Sequence, residues 1–97
     1  MSEIIVITRH PALVEVLKEL APEVASAKVL AQATAADVAG KHVYGVLPLH
    51  LAALAEKVTT VTLIVPPELR GVELSVEQVR QFMSKDLATY RVEKLQH

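Results

Sequence analysis

The chain has 97 residues, of which 52% are hydrophobic and 3% aromatic, and it carries a net charge of −1 without any cysteine. This length fits one small domain, residues 1–97, and the missing cysteine excludes disulfides, thiol catalysis and thiolate metal sites. The charges form no basic stripe for duplex nucleic acid, and no apolar segment suggests a membrane span or a signal peptide, so a cytoplasmic protein is expected.

Strands and helices are predicted to alternate along the chain, because short β-branched runs are followed by segments with apolar residues at helical spacing. Helix starts are indicated by prolines and by patterns that resemble a capping box. The predicted elements are a strand at 3–8, a helix at 11–20, a strand at 28–31, a short helix from Thr34 to Gly40, a strand at 42–47, a helix at 49–56, a strand at 58–65, a loop at 66–71, a helix from Ser75 to Ser84 or Lys85, and a last strand or extended tail at 89–95.

This alternation predicts a compact Rossmann-like three-layer α/β sandwich with a mainly parallel sheet of four to five strands. In such sheets ligands bind beyond the carboxyl ends of the strands, at the point where the strand order reverses. With the order 2-1-3-4-5, the turn at 8–11 after the first strand and the turn at 45–50 after the third strand face each other there.

Both turns combine a strand end, a proline and a histidine, which is typical of a site for an anion at a helix start. Arginine offers a permanent forked charge to a phosphate, and histidine can transfer a proton near neutral pH. The candidate residues are Thr8, Arg9 and His10 in the first turn, Gly45, Leu47, Pro48, Leu49 and His50 in the second, and Arg70 in the loop after the fourth strand.

Each candidate also has a purely structural interpretation. Arg9 can instead form a salt bridge with Glu15 or with a surface carboxylate. His10 can cap the helix that it precedes, and Arg70 can be a solvated turn residue. Outside the two turns, His42 is expected to be a solvated strand end, and His97 is given no role.

No metal site or bound cofactor is expected. The four histidines lack the spacing of metal ligands, and no carboxylate cluster completes a shell. The chain also has neither a Gly-x-Gly-x-x-Gly motif nor a Walker loop, so no dinucleotide or nucleoside triphosphate is indicated.

Four segments together resemble a known family. They are Thr-Arg-His-Pro at 8–11, Gly-Val-Leu-Pro-Leu-His-Leu-Ala at 45–52, Pro-Glu-Leu-Arg-Gly-x-Glu-Leu at 67–74 and Tyr-Arg-Val at 90–92. In this order and at this chain length the sequence resembles the small Csx-sixteen-type CRISPR-associated proteins, over nearly the whole chain.

The resemblance implies a metal-independent ring nuclease of type III CRISPR defence, which binds cyclic oligoadenylate, chiefly cyclic tetra-adenylate, and linearises it to end signalling. It also implies a homodimer of Rossmann-like subunits. Under this interpretation Arg9 holds phosphate, His10 carries the acid-base role, and His50 is its alternative or its mate. Two other hypotheses stay open: a protein that sequesters cyclic oligoadenylate without cutting it, and an interaction domain with incidental histidines.

Overall fold

The fold alternates strands and helices along the chain, as the sequence predicts. The computed structural model describes residues 3–84 and 86–95. Its elements are β1 (Ile4–Ile7), α1 (Pro11–Leu20), a 3-10 turn (Pro22–Ser26), β2 (Lys28–Leu30), α2 (Ala35–Val38), β3 (His42–Tyr44), α3 (Leu49–Ala52), β4 (Lys57–Thr59), a second 3-10 turn (Pro67–Leu69), α4 (Val76–Phe82) and β5 (Thr89–Tyr90).

The strands form one sheet in the order β2-β1-β3-β4-β5. The first four strands are parallel, with Val6 of β1 opposite Val29 of β2 and Tyr44 of β3, and β5 is antiparallel to β4. This confirms the predicted Rossmann-like α/β class and the mainly parallel sheet, and the observed order is the one assumed for this fold class. The order reverses between β1 and β3, so the turns after these two strands lie side by side.

Helices cover both faces of the sheet because successive strand residues point to opposite sides. Val6 packs under α1 and α4, whereas its neighbour Ile5 packs under α2 and α3. The larger cluster also contains Leu17 and Val79, which are fully buried between the helices and the sheet. Two apolar layers thus fix the sheet from both sides, and its carboxyl edge is held in place by them.

Local signals define three of the helix starts. Pro11 is the first residue of α1, where its missing N–H costs nothing. Capping boxes begin α2, at Thr34 with Asp37, and α4, at Ser75 with Gln78; in each, both reciprocal hydrogen bonds form. The predicted starts of these helices are therefore confirmed.

Several predicted elements are shorter in the structure. The strand at 42–47 ends at Tyr44, because Gly45 has a φ of +143° that ends the extended run. The helix predicted at 49–56 ends at Ala52, and Pro48 precedes it as its N-cap residue. Helix α4 ends at Phe82, before the predicted Ser84, and Lys85 lies outside the described residues.

The segment 58–65 was predicted as one strand, and this is wrong beyond its first residues. Only Lys57–Thr59 pairs with the parallel sheet as β4. From Thr60 on, the pairing with β3 ends: the Thr60 N–H still donates to the Ala88 carbonyl, next to β5, and Leu63 forms a single antiparallel bridge with Met83. The segment thus leaves the sheet towards the carboxyl edge, where it becomes part of a cavity.

The segment 89–95, predicted as a last strand or an extended tail, contains a short strand: only Thr89–Tyr90 pairs with β4, and residues 91–95 form no helix or strand. In the described part of the chain, no helix combines the length and the apolar character that crossing a membrane requires.

Candidate functional site at the carboxyl edge of the sheet

The turn after β1 presents Thr8, Arg9 and His10 at the sheet edge. The Thr8 hydroxyl accepts a hydrogen bond from the His10 backbone N–H at 3.1 Å, and the Thr8 N–H donates to the Leu30 carbonyl of β2 at 2.9 Å. His10 is the N-cap residue of α1, but its side chain makes no capping hydrogen bond to the described residues. The turn is therefore held by Thr8, and the imidazole of His10 is left for other contacts.

Arg9 is exposed and forms no ion pair with the residues that the structure describes. Glu15, one of its expected alternative partners, pairs instead with Lys18 at 3.5 Å, so the Arg9–Glu15 salt bridge is not formed. A guanidinium without an intramolecular carboxylate keeps its forked donors for a ligand.

Gly45 brings the two turns into contact. A Cβ added at this position lies 2.7 Å from the Ile7 carbonyl oxygen and 3.3 Å from the Ile7 Cβ. Its positive φ is also one that side chains other than glycine rarely adopt. Only glycine thus allows the ends of β1 and β3 to approach this closely.

An open cavity of about 350 Å³ lies where the two turns meet. Its lining includes one arginine, Arg9, and no carboxylate, with Thr8 and His10 beside it. The complete lining is Ile7, Thr8, Arg9, His10, Leu13, Ala31, Gly45, Val46, Val61, Leu63 and Val65. A second cavity of about 440 Å³ shares Thr8, Arg9 and Ala31 with it and runs over β2. The edge therefore combines a local positive charge with an apolar floor.

The other candidates lie elsewhere. His50 lines a separate cavity with the C-terminal residues 92–94, so the structure does not bring it together with His10. Leu47 and Leu49 line a further cavity with Tyr90, which adjoins the first through Gly45 and Val46. Pro48 and Arg70 are exposed and line none of these four cavities.

Sequence reasoning missed the wall formed by Val61, Leu63 and Val65. The alternating pattern at 58–65, which predicts a strand, also indicates this wall. Residues 61, 63 and 65 face the cavity, and residues 62 and 64 are exposed.

A polar network under the edge was also missed, and the expectation for His42 is wrong. His42 is half-buried: its Nε2 lies 2.7 Å from the Thr59 Oγ1, and its ring lies 4.6 Å from that of Tyr44. Thr59 in turn contacts the Thr89 hydroxyl at 2.8 Å, which ties β3, β4 and β5 together. Burial, reinforced by the nearby Lys57, lowers the pKa of His42.

Tyr44 connects this network to Glu23, on the face of the sheet that α1 and α4 cover. Its hydroxyl donates to the Glu23 Oε1 at 2.6 Å. This hydrogen bond lowers the pKa of Glu23, and burial together with the carboxylate raises the pKa of Tyr44 above its ordinary range. The residue immediately before Gly45 is thereby fixed, which supports the position of the second turn.

No three side chains of His, Asp or Glu lie close enough together to hold a metal ion within residues 3–84 and 86–95. The absence of a metal requirement stays a prediction.

Comparison with known protein families identifies a match over most of the chain. Residues 5–93 match the family model described as "Putative CRISPR-associated protein (Cas_VVA1548)". The chain belongs to this CRISPR-associated family. The match covers both turns, the cavity wall and the C-terminal strand of this CRISPR-associated protein. Searches of curated proteins and of solved structures give no match.

Proposed function

We propose that this CRISPR-associated protein is a ring nuclease that binds cyclic oligoadenylate, chiefly cyclic tetra-adenylate, and opens it without a metal ion. The observation that carries the proposal is the juxtaposition of Arg9 and His10 in one open cavity at the β1–β3 edge, without any carboxylate in its lining. Membership in a CRISPR-associated family and the resemblance to ring nucleases support the choice of ligand.

The charge of the cavity suits a phosphodiester. Arg9 is free of ion pairs with the described residues, so ligand binding breaks no existing salt bridge. The Thr8 hydroxyl already accepts the His10 N–H and keeps its own proton available for a phosphate oxygen. A charge-assisted bidentate contact from Arg9 would hold the phosphate in one orientation.

The proposed reaction is an internal transfer. The 2′-hydroxyl oxygen attacks the adjacent phosphorus, its bond to phosphorus forms, and the bond from phosphorus to the 5′-oxygen breaks. The proton lost by the 2′-hydroxyl is taken up by a base, and the departing 5′-oxygen gains a proton. The products are a linear oligoadenylate with a 2′,3′-cyclic phosphate and a 5′-hydroxyl, and no water is consumed.

In this mechanism the protein positions the ribose, stabilises charge and transfers the proton. His10 is the proposed acid-base group because it lines the same cavity as Arg9. Acid-base catalysis by one positioned side chain contributes about 10²–10⁴-fold. That rate enhancement suits a slow enzyme whose task is to end a signal.

Two variants separate binding from cleavage. We expect His10→Ala to retain cyclic tetra-adenylate binding and to lose about 10²–10⁴-fold in kcat. We expect Arg9→Ala to raise the Kd about tenfold or more, since hydrogen bonds to charged groups are worth about 1.5–3 kcal/mol. Calorimetric titration and product separation measure the two quantities.

Lys18→Ala and His50→Ala are the matched controls. Lys18 is a partly exposed cation on α1, so its removal changes the net charge as Arg9→Ala does. His50 lines a different cavity, and its substitution is expected to leave cleavage unchanged. Cleavage by His10→Ala at the wild-type rate contradicts the acid-base assignment of His10. If His50→Ala abolishes cleavage, the acid-base role belongs to His50 instead.

One observation favours a second candidate, a protein that sequesters cyclic oligoadenylate intact. His10 is the one histidine in the lining of the cavity, because the described structure keeps His50 apart. Intact ligand that co-elutes with the wild-type protein supports sequestration.

We also propose that the protein acts as a homodimer. Leu49 and Tyr90 are exposed apolar side chains around the second turn, and a two-fold symmetric ligand fits a two-fold dimer. Light scattering after gel filtration tests this, and a monomeric mass with and without ligand contradicts it.

A further inference from the structure

The cavity has two chemically different sides. Thr8, Arg9 and His10 form a polar rim, and the opposite wall is made only of aliphatic side chains from the segment after β4. Val61 is buried, Leu63 and Val65 are half-buried, and all three pack against the larger apolar cluster. This wall is therefore fixed from behind and is apolar towards the cavity.

Val46 completes the wall at the mouth of the cavity. It follows Gly45 directly, lines the cavity and is 71% exposed. Covering this exposed aliphatic side chain with an apolar group of a ligand stabilises the complex by roughly 25 cal/mol for each Å² of apolar surface buried. Nothing in the described fold covers it.

A nucleotide unit has the same two-sided character, since its phosphate is anionic and the faces of its base are weakly polar. A cavity of about 350 Å³ lies in the size range of small-molecule sites. A phosphate on Arg9 leaves the attached nucleoside beside the aliphatic wall.

We propose that Val46, Val61, Leu63 and Val65 seat one nucleobase of the ligand and that they select it by size and apolar contact. This inference rests on the proposed function and names the specificity element of that site. The wall offers no side-chain donor or acceptor to the edge of the base. It therefore distinguishes a purine from the smaller pyrimidine, and it is indifferent to the exocyclic group of the purine.

The test compares substitutions at two equally exposed side chains. Val46 and Ile64 are both 71% exposed, but Ile64 points away from the cavity and lines none of the described cavities that adjoin it. We expect Val46→Asn to raise the Kd for cyclic tetra-adenylate about tenfold, the effect of losing a partly buried Val contact, while Ile64→Asn leaves it unchanged. Thermal unfolding of both variants checks that each is folded.

The ligand series tests the selectivity on the wild-type protein. Cyclic tetra-inosinate is expected to bind within about twofold of cyclic tetra-adenylate, less than the effect of one neutral hydrogen bond, whereas cyclic tetra-uridylate is expected to bind more than about tenfold more weakly. If cyclic tetra-inosinate and cyclic tetra-uridylate lose equal affinity relative to cyclic tetra-adenylate, the protein recognises the edge of the base by hydrogen bonds. That result overturns the inference.

The outcomes separate this inference from the proposed function. If the wild-type protein binds and cuts cyclic tetra-adenylate but Val46→Asn behaves like Ile64→Asn, the base seat is wrong and the ring nuclease stands. If the wild-type protein binds none of the three rings, the proposed function fails, and the base seat fails with it.

Discussion

Replacing Gly45 by alanine tests whether the close approach of β1 and β3 builds the site. The added Cβ lies 2.7 Å from the Ile7 carbonyl oxygen, a backbone atom that cannot rotate away as a side chain does. The backbone at this position must also adopt a φ of +143°, which alanine rarely does. Gly45→Ala therefore forces either backbone strain or separation of the two strand ends.

The expected cost has two parts. A non-glycine residue held in an unfavourable backbone region costs about 1–3 kcal/mol, and a packing overlap costs about 1–3 kcal/mol more. The sum is about 4 kcal/mol, a large part of the roughly 5–15 kcal/mol by which small domains are stable. For a domain of this size, each kcal/mol lowers the Tm by about 4–8 °C.

Gly71→Ala is the matched control. Gly71 also has a positive φ, +82°, but an added Cβ there meets nothing within 4 Å. Its substitution should cost only the backbone strain, about 1–2 kcal/mol. The two free energies of unfolding are measured by urea denaturation followed by circular dichroism. If Gly45→Ala is no less stable than Gly71→Ala, the reasoning about the close approach is refuted.

Two further predictions concern the fold. Burial lowers the pKa of His42 in the folded protein, so that the unfolded chain binds a proton there first as the pH falls. The contribution of neutral His42 to the free energy of unfolding is therefore fully present above about pH 6.5 and is lost as the pH falls towards the lower pKa of the folded state. His42→Gln should flatten this decline in urea denaturation between pH 7.5 and 5.5, and an unchanged slope contradicts the assignment. Leu17→Ala, at a fully buried position, should lower the free energy of unfolding by about 2–5 kcal/mol, and Leu20→Ala on the same helix, 38% exposed, by far less. Equal losses contradict the placement of the core.

The sequence predicts the fold well where the signals are local. Pro11 and the capping boxes at Thr34 and Ser75 depend on residues within one turn, so the starts of their helices could be predicted. The alternation of strands and helices predicts right-handed crossovers and a mainly parallel sheet. The strand order was assumed from the fold class, and it agrees with the observed order, which places the first turn at the switch point.

The remaining features depend on contacts between distant segments. An alternating run such as 58–65 predicts an extended chain but does not show which neighbour it pairs with. Here the pairing with β3 ends at Thr59, and Leu63 pairs with Met83 instead. His42 was expected to be solvated because its partner Thr59 is distant in sequence. The position of His50 likewise depends on how the C-terminal segment packs against α3, which local patterns do not encode.

The central claim is that the cavity at Arg9 and His10 opens cyclic oligoadenylate through the 2′-hydroxyl. The most direct measurement is mass-spectrometric identification of the products when the protein is incubated in EDTA with cyclic tetra-adenylate and, in parallel, with the same ring carrying 2′-O-methyl groups. We expect linear products that end in a 2′,3′-cyclic phosphate and a 5′-hydroxyl from the first ring, and no products from the second. Cleavage of the methylated ring, or an unmodified ring that stays intact, contradicts it.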